Sequence, residues 1–225
     1  MKYQHKLTAL LTACALVAVI PFYAAAKDEK KAKDDKKAEV KKDHPWVLKK
    51  NSEGIQVFVR DVDGIEFKEF LGVTVMDAPM AVVNRVIMDV PNQVNWMCDT
   101  KESKVIKDDP INPIQYNVVT APLVSDRDVV IQTRVVQTPK KIIRSFQGIQ
   151  HPSAPARKGI VRMPKMVGAW VFEAVSATQT KVTYQNLADP GGSLPSGLVN
   201  MTVVKMPFVS LKKMKEQLKN PKYNK

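Results

Sequence analysis

Apolar and polar residues alternate along most of this chain, and that period of two yields to helical spacing in only a few places. Residues 54–60 and 67–75 read as strands around the turn Asp61 to Gly64. Ala78-Pro79 then opens a helix through Asp89, with Val82, Val83, Val86 and Ile87 on one side and Pro79 near its first turn. A short leading helix is expected at residues 44–48 and another at 91–97, which carries Trp96. Seven strands follow, at about 102–107, 114–120, 127–137, 141–149, 159–163, 167–175 and 180–187, separated by Pro- and Asp-containing turns.

The last of these strands ends at Asp189-Pro190-Gly191-Gly192, and Ser193-Leu194-Pro195 opens a long amphipathic helix to about Leu218. Val199, Val203, Val204, Phe208, Leu211, Met214 and Leu218 recur at three- and four-residue steps, against a charged face of Lys205, Lys212, Lys215 and Lys219. Together these elements predict an α+β fold on an antiparallel sheet, with the terminal helix laid across it. Whether that helix covers a solid core or a ligand cavity is the functional question.

Residues 1–26 read as an export signal: Lys2 and Lys6, an apolar run from Leu7 to Ile20, then Pro21 and Ala24-Ala25-Ala26 as a cleavage site. Left uncleaved, residues 7–26 are long enough to anchor in a bilayer, and Leu11-Thr12-Ala13-Cys14 also has the form of a lipoprotein signal. Each alternative sends the domain out of the cytoplasm. Residues 27–43 are almost wholly Lys, Asp, Glu and Ala and read as a solvated linker. Residues 44–225 form the expected single domain, which carries +9 of the chain's +13 charge. That surplus favours anionic lipid headgroups over nucleic acid outside the cytoplasm, or simply keeps the surface soluble. With Cys98 the sole cysteine beyond the signal, no internal disulfide can form.

Several blocks give this chain a resemblance to the START domain, the lipid-transfer family related to steroidogenic acute regulatory protein. They are Gly54-Ile55 with Val57 and Arg60, Trp96, Ser125-Asp126-Arg127-Asp128-Val129-Val130, Lys158-Gly159-Ile160-Val161-Arg162, and Asp189-Pro190-Gly191-Gly192-Ser193-Leu194-Pro195 running into Leu198-Val199-Asn200. The resemblance spans about residues 46–218 and implies a helix-grip fold, a curved sheet wrapped around the last helix, with an apolar tunnel for one lipid. It also implies a gate made by the final helix and its neighbouring loops, in a stand-alone, exported, bacterial-type protein. No acidic tunnel anchor can be placed, since the strand before Arg127 offers Ile114, Tyr116, Asn117 and Thr120.

Energetics agree with such a container. Lifting 16 methylenes from bilayer to water costs about 13 kcal/mol at roughly 0.8 kcal/mol each, beyond what a few hydrogen bonds of about 0.5–1.5 kcal/mol can offset. A long apolar lining is required, and the ten Met are adaptable enough to supply part of it or merely to fill core gaps. Candidate contacts are Trp96, Tyr116, Thr133, Arg162, Trp170 and Tyr184, set against the plainer reading of an ordinary core. Arg127 either meets a phosphate or carboxylate headgroup or pairs with an acid to fix its loop. Val199, Val203, Val204, Phe208 and Leu211 are expected to face the cavity, with Pro207 interrupting the helix and Gly191, Gly192 and Gly197 forming a hinge or only a turn.

Enzyme signatures are missing: there is no Gly-x-Ser-x-Gly elbow, phosphate-binding glycine loop or metal-binding cluster, and His44 and His151 stand apart. Cys98 reads as a buried hydrophobe. The expectation is therefore a monomeric, periplasmic carrier of a phospholipid, sterol-like or fatty acyl lipid, touching membranes transiently, without cofactor, metal or nucleic acid. Two rivals remain: a helix-grip enzyme acting on a hydrophobic substrate, and a membrane-tethered lipid sensor.

Overall fold

The computed structural model describes residues 44–120, 124–192, 194 and 196–224, so the expected signal and linker lie outside the described residues. Ten strands are present: β1 (Val47–Ser52), β2 (Ile55–Val62), β3 (Ile65–Met76), β4 (Thr100–Lys107), β5 (Ile114–Val119), β6 (Asp126–Thr138), β7 (Lys141–Ile149), β8 (Ile160–Arg162), β9 (Lys165–Ala174) and β10 (Thr180–Asp189). They form one sheet in the order β1-β2-β3-β10-β9-β7-β6-β5-β4. Every pairing is antiparallel except that of β8, which lies parallel to the start of β6. The curved sheet wraps the C-terminal helix α2 (Ser196–Gln217), giving the helix-grip architecture.

Two expected helices are corrected. The expected leading helix at 44–48 is instead the approach to strand β1, which pairs with β2 through a tight turn at Glu53-Gly54. Pro45 cannot donate a backbone bond and biases His44 away from helical geometry. The turn residues have φ of 54° and 69°, both left-handed, as a two-residue hairpin demands. The expected helix at 91–97 is a 3₁₀ turn over Val90–Asn95, held by Gln93, whose buried amide donates to the Ile87 carbonyl at 3.0 Å. The helix α1 (Met80–Met88) forms as expected and buries Val82, Val83, Val86 and Ile87.

Where α2 crosses the sheet, β3 carries Gly72. A Cβ there would meet Leu211 Cδ1 at 2.8 Å and Pro207 Cβ at 2.9 Å, so the missing side chain is the notch that admits the helix. Pro207 lies inside α2 and cannot donate to the Val203 carbonyl one turn back. Leu211 and Met214 are completely buried, and Phe208 lies under the Lys50 ammonium, 3.7 Å from its ring centroid. Among the described residues, no helix is long and apolar enough to cross a membrane.

Candidate functional site

A narrow cavity of about 70 Å³ lies between the inner face of the sheet and α2. Its apolar wall comes from Ile87, Val129, Ile131, Phe146 and Trp170, with Tyr184 beside them. Met97, Cys98, Met166 and Met206 add a soft, polarizable border, and Met206 is the contribution of α2. Val119 adds to the apolar side, and the rest is polar: Gln93, Thr100, Gln115, Asn117, Thr133 and Arg144. The cavity is smaller than the expected tunnel and has one polar side. Ligand sites usually occupy about 300–1,000 Å³, so a lipid fits only if α2 and the Met side chains give way.

Strand register sets the inner wall. Cross-strand partners place Gly72, Tyr184, Trp170 and Arg144 in one row across β3, β10, β9 and β7. The row begins at the notch for α2 and continues with Tyr184 stacked on Trp170 at 3.8 Å and 7° between planes. It ends in a cation. Trp96 meets Trp170 edge-on at 6.0 Å, and Phe70 meets Tyr184 likewise at 4.9 Å. Burial alone lowers the Arg144 pKa to about 10, so its guanidinium remains charged near neutral pH. On the opposite side, Gln115 donates to Gln93 at 2.8 Å and to Asn117 at 2.9 Å, a buried amide network that largely satisfies itself.

The segment before β4 closes against α2. Ser210 Oγ accepts the Cys98 N–H at 3.0 Å, and Lys205 Nζ reaches both Asp99 carboxylate oxygens at 2.9 Å. Burial, then the nearby Asp99 charge, pushes the Cys98 thiol up to about 12, which keeps it protonated and unreactive. No His, Asp or Glu lines the cavity among the described residues.

Of the expected contacts, Thr133, Trp170 and Tyr184 line the cavity. Trp96 sits one layer behind, fully buried. Tyr116 and Arg162 belong elsewhere: Arg162 Nε donates to Asp128 Oδ1 at 2.7 Å, its Nη2 donates to Oδ2 at 3.0 Å, and the Tyr116 hydroxyl donates to the same Oδ2 at 2.9 Å. Arg127 is also away from the cavity. It donates to the Ser125 carbonyl and to the Gly191 carbonyl at 3.4 Å, fixing its loop through backbone oxygens rather than an acid. Val203, Phe208 and Leu211 are buried, and Val199 and Val204 half-buried. The cavity wall includes none of these five, and Met206, which carried no expectation, takes their place. Gly191 and Gly192 have φ of 65° and 73°, so the turn itself requires glycine. Gly197 is exposed in the first turn of α2. Ser193 and Pro195, expected to open that helix, lie outside the described residues.

Sequence reading missed Arg144, Gln93 and Gln115. For Arg144 a signal existed: alternation along Ile142-x-Arg144-x-Phe146 puts a cation on the buried face.

Comparison with known proteins agrees with this architecture. The sequence profile of the START domain matches residues 28–223. An uncharacterised protein of Pseudomonas aeruginosa is 33% identical over 168 residues, covering 74% of this chain and 83% of that one. The crystal structure of a STAR-related lipid transfer protein (fragment 25–204) from Xanthomonas axonopodis superposes with a TM-score of 0.72 at 36% identity, covering 78% of this chain and 99% of that one. The human StAR-related lipid transfer protein 5 shares the fold, with a TM-score of 0.66 at 18% identity over 78% of this chain and 88% of that one. The chain belongs to the START domain family.

Proposed function

We propose that this protein binds one lipid between its curved sheet and α2 and carries it between membranes, with α2 as the gate. The observation that supports this most directly is the cavity beneath α2, bordered by Met97, Met166 and Met206. Unbranched Met side chains repack cheaply, which suits a wall that must widen to admit cargo. The 36% identical relative is itself described as a lipid transfer protein.

In this reading the helix is held shut at its exposed side by an ion pair that costs little to break. The Lys205–Asp99 pair is half-exposed on its Lys side, and such pairs contribute about 0.2–1 kcal/mol. Lys205→Ala should therefore speed lipid exchange by a few-fold at most, roughly 1.4- to 5-fold, and raising the salt concentration should mimic it. Stopped-flow dequenching of a fluorescent phospholipid leaving the protein measures this. An unchanged or slower rate would remove Lys205 from the gate.

Membrane contact through the basic face of α2 is part of the proposal, although Lys212 is paired with Glu53 at 2.9 Å and Lys219 with Glu216 at 2.6 Å. Export to the periplasm rests on the pattern of residues 1–26. N-terminal sequencing of the protein from the cell envelope separates a freed carrier from a tethered sensor. The functional test is movement of a labelled phospholipid from donor to acceptor vesicles. Transfer proportional to protein concentration supports the carrier, and a rate equal to the spontaneous one contradicts it.

A further inference from the structure

Arg144 is only 7% exposed, and its Nη1 donates to Asn84 Oδ1 at 3.2 Å. Among the described residues it faces no carboxylate, and the rest of its five-donor fork has no protein acceptor. Buried cations are ordinarily paired, because an isolated charge in a low dielectric is strongly destabilised. Arg162, elsewhere in this chain, obeys that rule through Asp128. Nor can Arg144 turn outward. It lies between the buried Ile142 and Phe146 on the inner face of β7, directly opposite Trp170 on β9, with its side chain on the cavity wall. The neighbouring amides of Gln93, Gln115 and Asn117 bond one another, and among the described residues that line the cavity the guanidinium is the one charged group, without a counter-charge.

We propose, building on the lipid-carrier reading, that Arg144 receives the oxyanion head of the cargo. The chain then selects lipids whose buried end is a carboxylate or phosphate over neutral lipids of the same shape. A planar guanidinium matches either oxyanion with two parallel N–H···O bonds. Asn84 orients the fork from the α1 side, and the aromatic row of Trp170 and Tyr184 supplies the apolar surface for the adjoining chain.

The test titrates the full chain with two matched pairs of fluorescent probes. One pair is cis-parinaric acid and its alcohol; the other is pyrene-labelled phosphatidic acid and pyrene-labelled diacylglycerol. The anionic member of at least one pair should bind about 10–100-fold more tightly than its neutral partner. Preference in the first pair assigns a carboxylate, in the second a phosphate, and in both a general oxyanion site. Arg144→Gln should abolish the preference by weakening the anionic probe alone, and Arg144→Lys should keep part of it. Arg144→Met should raise the lipid-free unfolding temperature, because it removes an unpaired buried charge. Equal binding of anionic and neutral probes overturns the assignment while leaving the carrier reading intact. So does a uniform loss of all probes in Arg144→Gln, or an Arg144→Met protein that melts well below the wild type. Failure of the wild type to bind any probe overturns both readings.

Discussion

Asp128→Asn should destabilise the domain by about 3–5 kcal/mol, the usual cost of removing one partner from a buried ion pair. Asp128 is 1% exposed and holds Arg162 bidentately while accepting the Tyr116 hydroxyl. Arg162 also donates to the Ala154 carbonyl at 2.9 Å, so the pair fastens β8 and the loop before it onto the start of β6. In the variant Arg162 would remain half-sequestered without its counter-charge. For a domain of this size each kcal/mol shifts the melting point by about 2–4 °C, so a drop of roughly 6–20 °C is expected. Burial pushes the Asp128 carboxyl upward, but the bonds from Arg162 and Tyr116 outweigh it and hold its pKa below the ordinary value. A depressed carboxylate stabilises the fold above its unfolded pKa of about 3.9 and loses that contribution as the pH falls through the folded value. Wild type and variant should therefore differ fully near pH 7 and converge in strong acid. Equal melting points at pH 7 would show the network to be idle.

Leu211→Ala should cost about 2–5 kcal/mol, because Leu211 is completely buried where α2 meets the sheet. Gly72→Ala should cost about 1–3 kcal/mol for the opposite reason, since its added methyl would press on Leu211 Cδ1 and Pro207 Cβ. In the double variant the new methyl occupies part of the space that Leu211 vacates. The combined loss should be smaller than the sum of the single losses by at least about 0.5 kcal/mol. Denaturant titrations of the four proteins measure this coupling. Strict additivity would mean that the helix does not rest on that notch.

Much of the fold was legible because the signals are local. Alternation along β2 and β10 and the apolar steps of α2 identify each element and its buried face without knowledge of the partner strand. What the sequence could not supply is which wall that face meets. The spacing of Val203, Phe208 and Leu211 marks burial equally well whether they pack on β2 and β3 or look into a cavity; for Leu211 the notch at Gly72 decides it, and Gly72 is an unremarkable strand residue in isolation. Arg162 and Tyr116 were misplaced for a similar reason. Their meeting point depends on the parallel contact of β8 with β6, which joins Asp128 to a residue 34 positions away and follows from no hairpin rule. Residues 44–48 were misread because a short apolar run carries no period of its own, and here the edge of the sheet claimed it.

The most direct check of the central claim is native mass spectrometry of the chain purified without detergent from lipid-rich cells. The account predicts a protein ion carrying a single non-covalent adduct with the mass of one lipid, lost when the complex is activated in the gas phase. A bare ion, persisting after incubation with vesicles of mixed anionic and neutral lipids, would contradict it.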